Sequence, residues 1–163
     1  MIRPVQSSDA RAIRDIYNYY IEHTVITFEE DILSADEMET RIRKISAAYP
    51  FLVMEDDGEI SGYAYANTWK ERSAYRYSAE LSIYFKNSSR GRGRGHELLC
   101  ALLEEIRGTK LHVLIAGIAL PNEASVRLFE KSGFKKIGQF NEVGFKSGRR
   151  LDVGYWELIL QRQ

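Results

Sequence analysis

The sequence contains very little cysteine, proline and histidine. The single cysteine, Cys100, cannot form an internal disulfide, and the three histidines (His23, His96 and His112) show no metal-ligand spacing with it. We therefore expect no metal site. Only three prolines occur, and the sequence has no Pro/Ser-rich linker, low-complexity tail or internal repeat, so it predicts one continuous fold.

The sequence also lacks a net charge and long apolar runs. Lys plus Arg and Asp plus Glu number 23 each, so no overall field attracts nucleic acid or an anionic membrane. No secretion signal begins the sequence, and no apolar stretch approaches the roughly twenty residues that span a bilayer. We expect a cytoplasmic protein with no nucleic-acid or membrane partner. Its 163 residues, 44% of them hydrophobic, suit a single domain over 1–163.

Hydrophobic periodicity predicts a mixed α/β chain. Asp56, Asp57 and Gly58 have the composition of a turn and make the second and third strands a hairpin. The apolar run 112–120 is typical of a buried central strand. The predicted strands lie at 2–5, 51–55, 60–68, 78–85 and 112–120, and near 135–142 and 151–160. The predicted helices follow capping residues at 7–9 and 34–36, include 98–106, and cover 122–131.

A glycine-rich segment lies between a predicted strand and an amphipathic helix. It reads Arg90-Gly91-Arg92-Gly93-Arg94-Gly95-His96. The first N–H groups of a helix lack internal partners and point outward, and the partial positive charge at that end favours anions. Glycines let a phosphate approach the backbone. The segment therefore predicts a pyrophosphate-binding cradle to which the arginines add positive charge.

Other interpretations of this segment are open. A dinucleotide-binding fingerprint requires a third glycine where His96 stands, and a P-loop requires a Gly-Lys-Ser/Thr sequence that is absent. An RNA-binding arginine–glycine segment matches by composition, but such segments are long and disordered. A glycine-rich turn with solvated arginines is the simplest alternative, because one glycine motif is weak by itself.

Several blocks of the sequence together resemble the GNAT superfamily of N-acetyltransferases. The loop fits the pattern [QR]-x-x-G-x-[GA] at Arg90, Gly93 and Gly95. Segments 121–125 and 128–134 look like the downstream block of the family. Segments 69–75, 144–148 and 152–154, with the strand at Glu80, are similar to the phosphinothricin or methionine sulfoximine acetyltransferase branch. The resemblance covers nearly the whole chain.

The resemblance implies a fold and a cofactor site. The GNAT fold has a mixed central sheet of about six to seven strands and about four flanking helices, and its central strands splay apart to form the acetyl-coenzyme A (acetyl-CoA) cleft. Backbone contacts to pantetheine would come from Ile83, Tyr84 and Phe85, and contacts to the pyrophosphate from 91–96. The full set of implied cofactor-binding residues is Ile83, Tyr84, Phe85, Gly91, Arg92, Gly93, Arg94, Gly95, His96, Asn122 and Ser125. A homodimer is also implied.

Acetyl transfer to an amine needs a general base, because a free alkyl amine is mostly protonated at neutral pH. Glu80 matches the proposed base of the branch, and partial burial would raise its pKa toward the working range. The alternative is a glutamate that pairs with a lysine or arginine. Backbone N–H groups of the parted strand would stabilise the oxyanion on the acetyl carbonyl.

The resemblance also implies an acceptor pocket for a compact zwitterionic amino acid. Its implied residues are Thr27, Phe28, Glu29, Lys70, Arg72 and Tyr75. Guanidinium geometry suits a carboxylate or phosphinate. The alternative is that the long cationic side chains are solvated turn residues.

Two residues depart from the family pattern. Phe129 stands where many members have a tyrosine that protonates the leaving thiolate, and Arg150 stands where the branch usually has a tryptophan. The first leaves the catalytic acid unassigned, and the second leaves the pocket shape open. The alternatives are therefore a GNAT enzyme for a different small amine or protein N-terminus, and a catalytically silent CoA-binding module.

Overall fold

The computed structural model describes residues 1–91 and 93–161, and its elements are a mixture of strands and helices. Within the described residues there are seven strands and four α-helices. In chain order they are β1 (Ile2–Pro4), α1 (Ala10–His23), α2 (Ala35–Ser46), β2 (Phe51–Asp56), β3 (Glu59–Thr68), β4 (Ser78–Phe85), α3 (Arg94–Arg107), β5 (Val113–Leu120), α4 (Glu123–Lys131), β6 (Lys135–Lys146) and β7 (Arg149–Ile159).

All seven strands form one mixed sheet in the order β1-β2-β3-β4-β5-β7-β6. Neighbouring strands are antiparallel except for β4 and β5, which are parallel. These two strands pair only from Ser78 to Glu80 on β4, opposite Val113 to Ile115 on β5. Beyond Glu80 they part. The predicted mixed sheet of six to seven strands with splayed central strands is confirmed.

Helices cover both faces of the sheet, because its central strands are apolar on both sides. On β2, Phe51 and Val53 belong to the core that contains residues of α1 and α2, whereas Leu52 and Met54 belong to the core that contains residues of α3 and α4. The second core also contains a leucine-rich stripe of α3, whose buried members are Leu98, Leu99, Leu102, Leu103 and Ile106. Each buried leucine of this stripe contributes roughly 2 kcal/mol of transfer free energy. The sheet is thereby held between two helical layers.

The helix starts follow from local capping. Ser34 and Glu37 form a capping box at the start of α2, as the sequence pattern predicts. Asn122 is the N-cap of α4, so that helix begins one residue later than predicted. Among residues 1–91 and 93–161, no helix has the length and apolar character that crossing a bilayer requires.

The last two strands differ most from the prediction. β6 continues to Lys146, four residues past the predicted end near 142, and pairs with β7 through two register shifts. The glycines at 138 and 144 weaken the strand pattern in the sequence, but bulges accommodate them. Ser147 and Gly148, both at positive φ, make the tight hairpin turn between these strands.

Candidate active site

The glycine-rich segment predicted to bind a phosphate leads directly into α3. Gly93 is the N-cap of this helix with φ 76°, and Gly91 has φ 90°, both in the left-handed region that favours glycine. An added β-carbon at either position would meet no atom within 4 Å. The glycines therefore set the path of the backbone and leave the space before the helix open.

Helices α3 and α4 begin at one cavity of about 350 Å³, which we call the helix-start cavity. Asn122 caps α4 by accepting a hydrogen bond from the Ser125 N–H at 3.2 Å. Gly95 lets the two helices approach, since a β-carbon there would lie 3.3 Å from Leu128 Cδ2. The cavity is lined by Gly91, Gly93, Arg94, Gly95, His96, Asn122 and Ser125, among others. Because two positive helix ends meet here, the cavity suits an anionic group.

The arginines of the loop have partners of their own. Arg94 forms a salt bridge with Asp56, which offsets its charge, although its side chain still lines the helix-start cavity. The Arg90 guanidinium lies 5.1 Å from the centre of the Tyr20 ring, a cation–π contact. Arg92 lies outside the described residues. Both described arginines of the loop thus have partners, and an anion in the cavity would also meet the first backbone N–H groups of α3.

Every second residue of β4 directs its backbone N–H and C=O groups into the gap where β4 and β5 have separated. The Lys86 N–H donates to the Ser61 carbonyl at 2.8 Å, so residues 82 and 84 point their N–H and C=O groups toward β3. The N–H and C=O groups of Ile83 and Phe85 point away from β3, toward the gap between β4 and β5. The Tyr20 hydroxyl donates to the Phe85 carbonyl at 2.8 Å and accepts from its N–H at 3.4 Å. Of the three residues predicted to contact pantetheine, Ile83 thus offers its backbone to the cleft, whereas that of Phe85 is held by Tyr20.

A small cavity of about 60 Å³ lies where β4 and β5 part, and we call it the narrow cleft. It shares Ile83 and Asn122 with the helix-start cavity. On its other side it shares Tyr84 and Gly117 with a third cavity. Phe129, which is 4% exposed, lines the narrow cleft and supplies no polar group. The three cavities therefore lie next to one another along the splayed strands.

The third cavity, which we call the Glu80 cavity, has a volume of about 380 Å³. Burial raises the pKa of Glu80 above its ordinary value. Tyr155 lines the same cavity, and its pKa is raised by burial and by the charge of Glu80. In the part of the chain that the structure describes, no lysine or arginine forms a salt bridge with Glu80. Its carboxylate is thus a half-buried acid that faces a cavity, as a general base requires.

The predicted acceptor residues separate into two groups. Phe28 lines the Glu80 cavity together with its neighbour Thr27. Glu29 instead accepts hydrogen bonds from Arg41 and from the Tyr17 hydroxyl. The Arg41 guanidinium holds the pKa of Glu29 below its ordinary value. Glu29 therefore fixes the segment after α1, and no part of it lines the cavity.

The remaining predicted acceptor residues lie in the exposed segment between β3 and β4. Lys70, Arg72 and Tyr75 are all exposed and do not line the Glu80 cavity. The ammonium of Lys70 lies 5.4 Å from the centre of the Trp69 ring, which in turn contacts the Tyr155 ring at 5.7 Å. Long cationic side chains gain from hydration, so the solvated positions are the physically expected ones.

Sequence reasoning missed several residues of the Glu80 cavity, among them Gly117 and Tyr155. Tyr155 on β7 stands opposite Gly117 on β5, and both line the cavity beside Glu80. The signal for Gly117 is a glycine within the apolar run of a central strand, where glycine is unfavourable. Tyr155 gives no such signal, because its place beside Glu80 depends on the order of strands in the sheet.

Comparison with known proteins agrees with this geometry. Residues 2–154 match the family described as Acetyltransferase (GNAT) domain. The chain is 35% identical to phosphinothricin N-acetyltransferase of Streptomyces viridochromogenes, covering 96% of this chain and 85% of that one. It is 36% identical to the L-methionine sulfoximine/L-methionine sulfone acetyltransferase of Salmonella typhimurium, covering 98% and 94%.

A solved structure is similarly close. The yncA protein of Salmonella typhimurium, determined with its cofactor acetyl-CoA, is 34% identical and superposes with a TM-score of 0.97. The match covers 100% of this chain and 95% of that chain. With the splayed strands, the helix-start cavity and the match over residues 2–154 taken together, the chain belongs to the GNAT acetyltransferase family and is an N-acetyltransferase.

Proposed function

We propose that this enzyme transfers the acetyl group of acetyl-CoA to the primary amine of a small amino-acid-like compound by direct transfer in a ternary complex. The observation that supports this most strongly is the row of three neighbouring cavities along the splayed strands. The helix-start cavity lies at one end of this row, and the carboxylate of Glu80 lies at the other. Direct transfer requires that the donor and the acceptor be held next to each other.

The helix-start cavity fits the pyrophosphate of acetyl-CoA. Gly91 and Gly93 leave the backbone open in front of α3, and the first N–H groups of α3 and α4 supply donors. Asn122 and Ser125 line both this cavity and the narrow cleft, so they would contact the arm between the nucleotide and the thioester. The bound coenzyme supplies an activated acetyl thioester.

Glu80 acts as the general base in this proposal. Burial raises its pKa, so that the carboxylate accepts a proton more readily than an exposed glutamate does. It takes the proton of the acceptor ammonium, directly or through a water, and frees the amine for attack. The backbone of Ile83 faces the cleft and offers hydrogen bonds there. The C–S bond then breaks, and the coenzyme A thiolate takes the proton that the attacking nitrogen loses, directly or through water. Phe129 has no proton to give, so no side chain is assigned as the acid.

The acceptor is a compact amino-acid-like amine, and phosphinothricin and methionine sulfoximine are the first candidates. The relatives named for these two compounds support the choice. A cavity of about 380 Å³ lined by Phe28, Val153 and Tyr155 suits a short side chain. We further propose a detoxifying role for a cytoplasmic homodimer, in keeping with the family resemblance.

A panel assay of CoA release tests the proposal. The acceptors are phosphinothricin, methionine sulfoximine, methionine sulfone and a peptide with a free N-terminal alanine, assayed with the wild type, Glu80→Gln and Glu71→Gln, a substitution of an exposed glutamate between β3 and β4. We expect turnover of the amino acids, loss in Glu80→Gln with acetyl-CoA affinity retained, and normal rates in Glu71→Gln.

Other outcomes of the panel identify the alternatives. Turnover of the peptide alone would indicate an enzyme for protein N-termini. Binding of acetyl-CoA without turnover of any acceptor would indicate a silent CoA-binding module, an alternative that Phe129 suggests. Loss of acetyl-CoA binding in Glu80→Gln would refute the role of Glu80 as a base.

A further inference from the structure

Strand β5 carries a glycine at the position where it lines the Glu80 cavity. Gly117 lies inside a central strand between buried Ala116 and Ile118, and its own surface is exposed to the cavity. Its φ is not in the left-handed region, so the backbone does not require glycine. Glycine within a strand costs roughly 0.5–1 kcal/mol relative to alanine. The missing side chain therefore needs another explanation.

The surroundings of Gly117 supply that explanation. A β-carbon at this position would lie 3.2 Å from Glu80 Oε1 and 3.1 Å from Tyr155 Cε1. Glu80 comes from β4 and pairs with Ile115, two positions before Gly117, whereas Tyr155 on β7 stands directly opposite. The backbone of Gly117 thus lines the cavity between the carboxylate of Glu80 and the ring of Tyr155.

We propose that Gly117 is a specificity-determining position, at which the absence of a side chain admits the acceptor amine and the carbon that bears it. A nitrogen that donates to a carboxylate lies about 2.7–3.2 Å from the oxygen. A methyl group at Gly117 would lie 3.2 Å from Glu80 Oε1, which is the distance at which the acceptor nitrogen would have to lie. The proposal rests on the function proposed above, in which Glu80 receives the proton.

A side chain at position 117 would limit substitution on the carbon that bears the acceptor nitrogen. A methyl group projects about 1.5 Å from Cα and moves the amine away from Glu80 by a comparable distance. Displacements of about 1 Å at a reacting centre cost roughly 100-fold in rate. When the amine is on a CH₂ group, the acceptor can rotate so that only hydrogen atoms face the added methyl. When the amine is on a substituted carbon, one of the substituents faces the methyl in each orientation. Gly117 therefore permits α-substituted acceptors such as amino acids.

The chain offers a matched control at Gly138 on β6. This glycine also lies in a strand without a left-handed φ, but a β-carbon there would meet no atom within 4 Å. Gly117→Ala and Gly138→Ala thus make the same chemical change, and only the first places a methyl between Glu80 and Tyr155. Measurements on each variant are kcat/KM for the acceptor, acetyl-CoA affinity by calorimetry and the thermal unfolding midpoint.

We expect Gly117→Ala to lower kcat/KM for methionine sulfone by roughly 100-fold, with acetyl-CoA affinity and the unfolding midpoint retained. The loss is smaller for the decarboxylated analogue, whose amine is on a CH₂ group. Gly138→Ala changes none of these values. If Gly117→Ala is unstable, the double variant with Tyr155→Leu is compared with Tyr155→Leu alone, since that substitution removes the crowded ring atom.

Two results would overturn the inference while leaving the proposed function intact. One is wild-type kinetics in Gly117→Ala. The other is an equal loss for both acceptors, with or without weaker acetyl-CoA binding, because the added methyl then does not discriminate by substitution on the carbon that bears the amine. Absence of turnover in the wild type with every acceptor would instead refute the proposed function.

Discussion

The ammonium of Lys146 donates a hydrogen bond of 2.8 Å to the carbonyl of Thr27, which joins the end of β6 to the segment after α1. Lys146 is only 4% exposed. Two residues earlier, a β-carbon at Gly144 would lie 2.5 Å from the Phe28 ring, so Phe28 packs directly on the backbone of β6. Thr27 and Phe28 both line the Glu80 cavity. Strand β6 therefore holds one wall of that cavity in position.

Replacement of Lys146 by methionine should loosen this wall. The Thr27 carbonyl would lose its donor, and an unsatisfied buried polar group costs about 1–3 kcal/mol. We expect a lower free energy of unfolding and an acceptor KM raised by roughly 10-fold, with acetyl-CoA affinity unchanged. Lys135→Met, at an exposed position on the same strand, is the control and should behave as the wild type. An unchanged acceptor KM in Lys146→Met would contradict the positioning role.

The acid side of the pH–activity profile should report Glu80. Its pKa is raised by burial, and only the ionised carboxylate accepts a proton. We expect kcat/KM to fall with decreasing pH around a midpoint above about 4.3, the ordinary value for glutamate. Glu80→Gln should lose this limb together with most of the rate. The same limb in Glu80→Gln would assign the titration to another group.

Glu80→Gln should lower activity but raise the free energy of unfolding. Because its folded-state pKa is raised, the ionised form is less favourable in the folded protein than in the unfolded chain. Glu80→Gln should therefore raise the free energy of unfolding at pH 8, and the gain should shrink as the pH falls through the raised pKa. Chemical denaturation at pH 8 and near pH 4 measures this, with Glu71→Gln as the exposed control. A gain equal at both pH values would exclude burial of the charge as its cause.

The fold was predictable from the sequence because its elements have strong local signals. Alternating residues such as Leu81 and Ile83 predict β4, and leucines at helical spacing predict α3. The end of β6 was not predictable, since bulges at two glycines break the period-2 pattern that identifies a strand. The sheet order β5-β7-β6 also has no local signature, because it depends on long-range pairing.

The candidate site was predictable only where one segment forms it. The cradle at Gly93 lies between a strand and a helix that adjoin in sequence, so its geometry follows from the motif. The Glu80 cavity instead combines residues from the segment after α1, from β4, β5 and β7. Gly117 and Tyr155 meet Glu80 only through strand pairing. The separation of these residues in the sequence does not predict that they are close in space.

The cradle itself is tested by placing a negative charge at its centre. Gly93→Asp introduces a carboxylate at the N-terminus of α3, where it repels a pyrophosphate and adds bulk to the open space. We expect acetyl-CoA affinity to fall by roughly 100-fold, equivalent to about 2.8 kcal/mol. Isothermal titration calorimetry with acetyl-CoA measures the change.

Gly58→Asp in the β2–β3 turn is the matched control for Gly93→Asp. Gly58 has φ 81° and, like Gly93, would place a β-carbon where no atom lies within 4 Å. Each substitution therefore carries a similar left-handed strain of about 1 kcal/mol, so the two variants should unfold at similar temperatures. Only Gly93→Asp should lose acetyl-CoA affinity, because only that carboxylate faces the two helix starts. Equal affinity in both variants would show that acetyl-CoA does not depend on this loop.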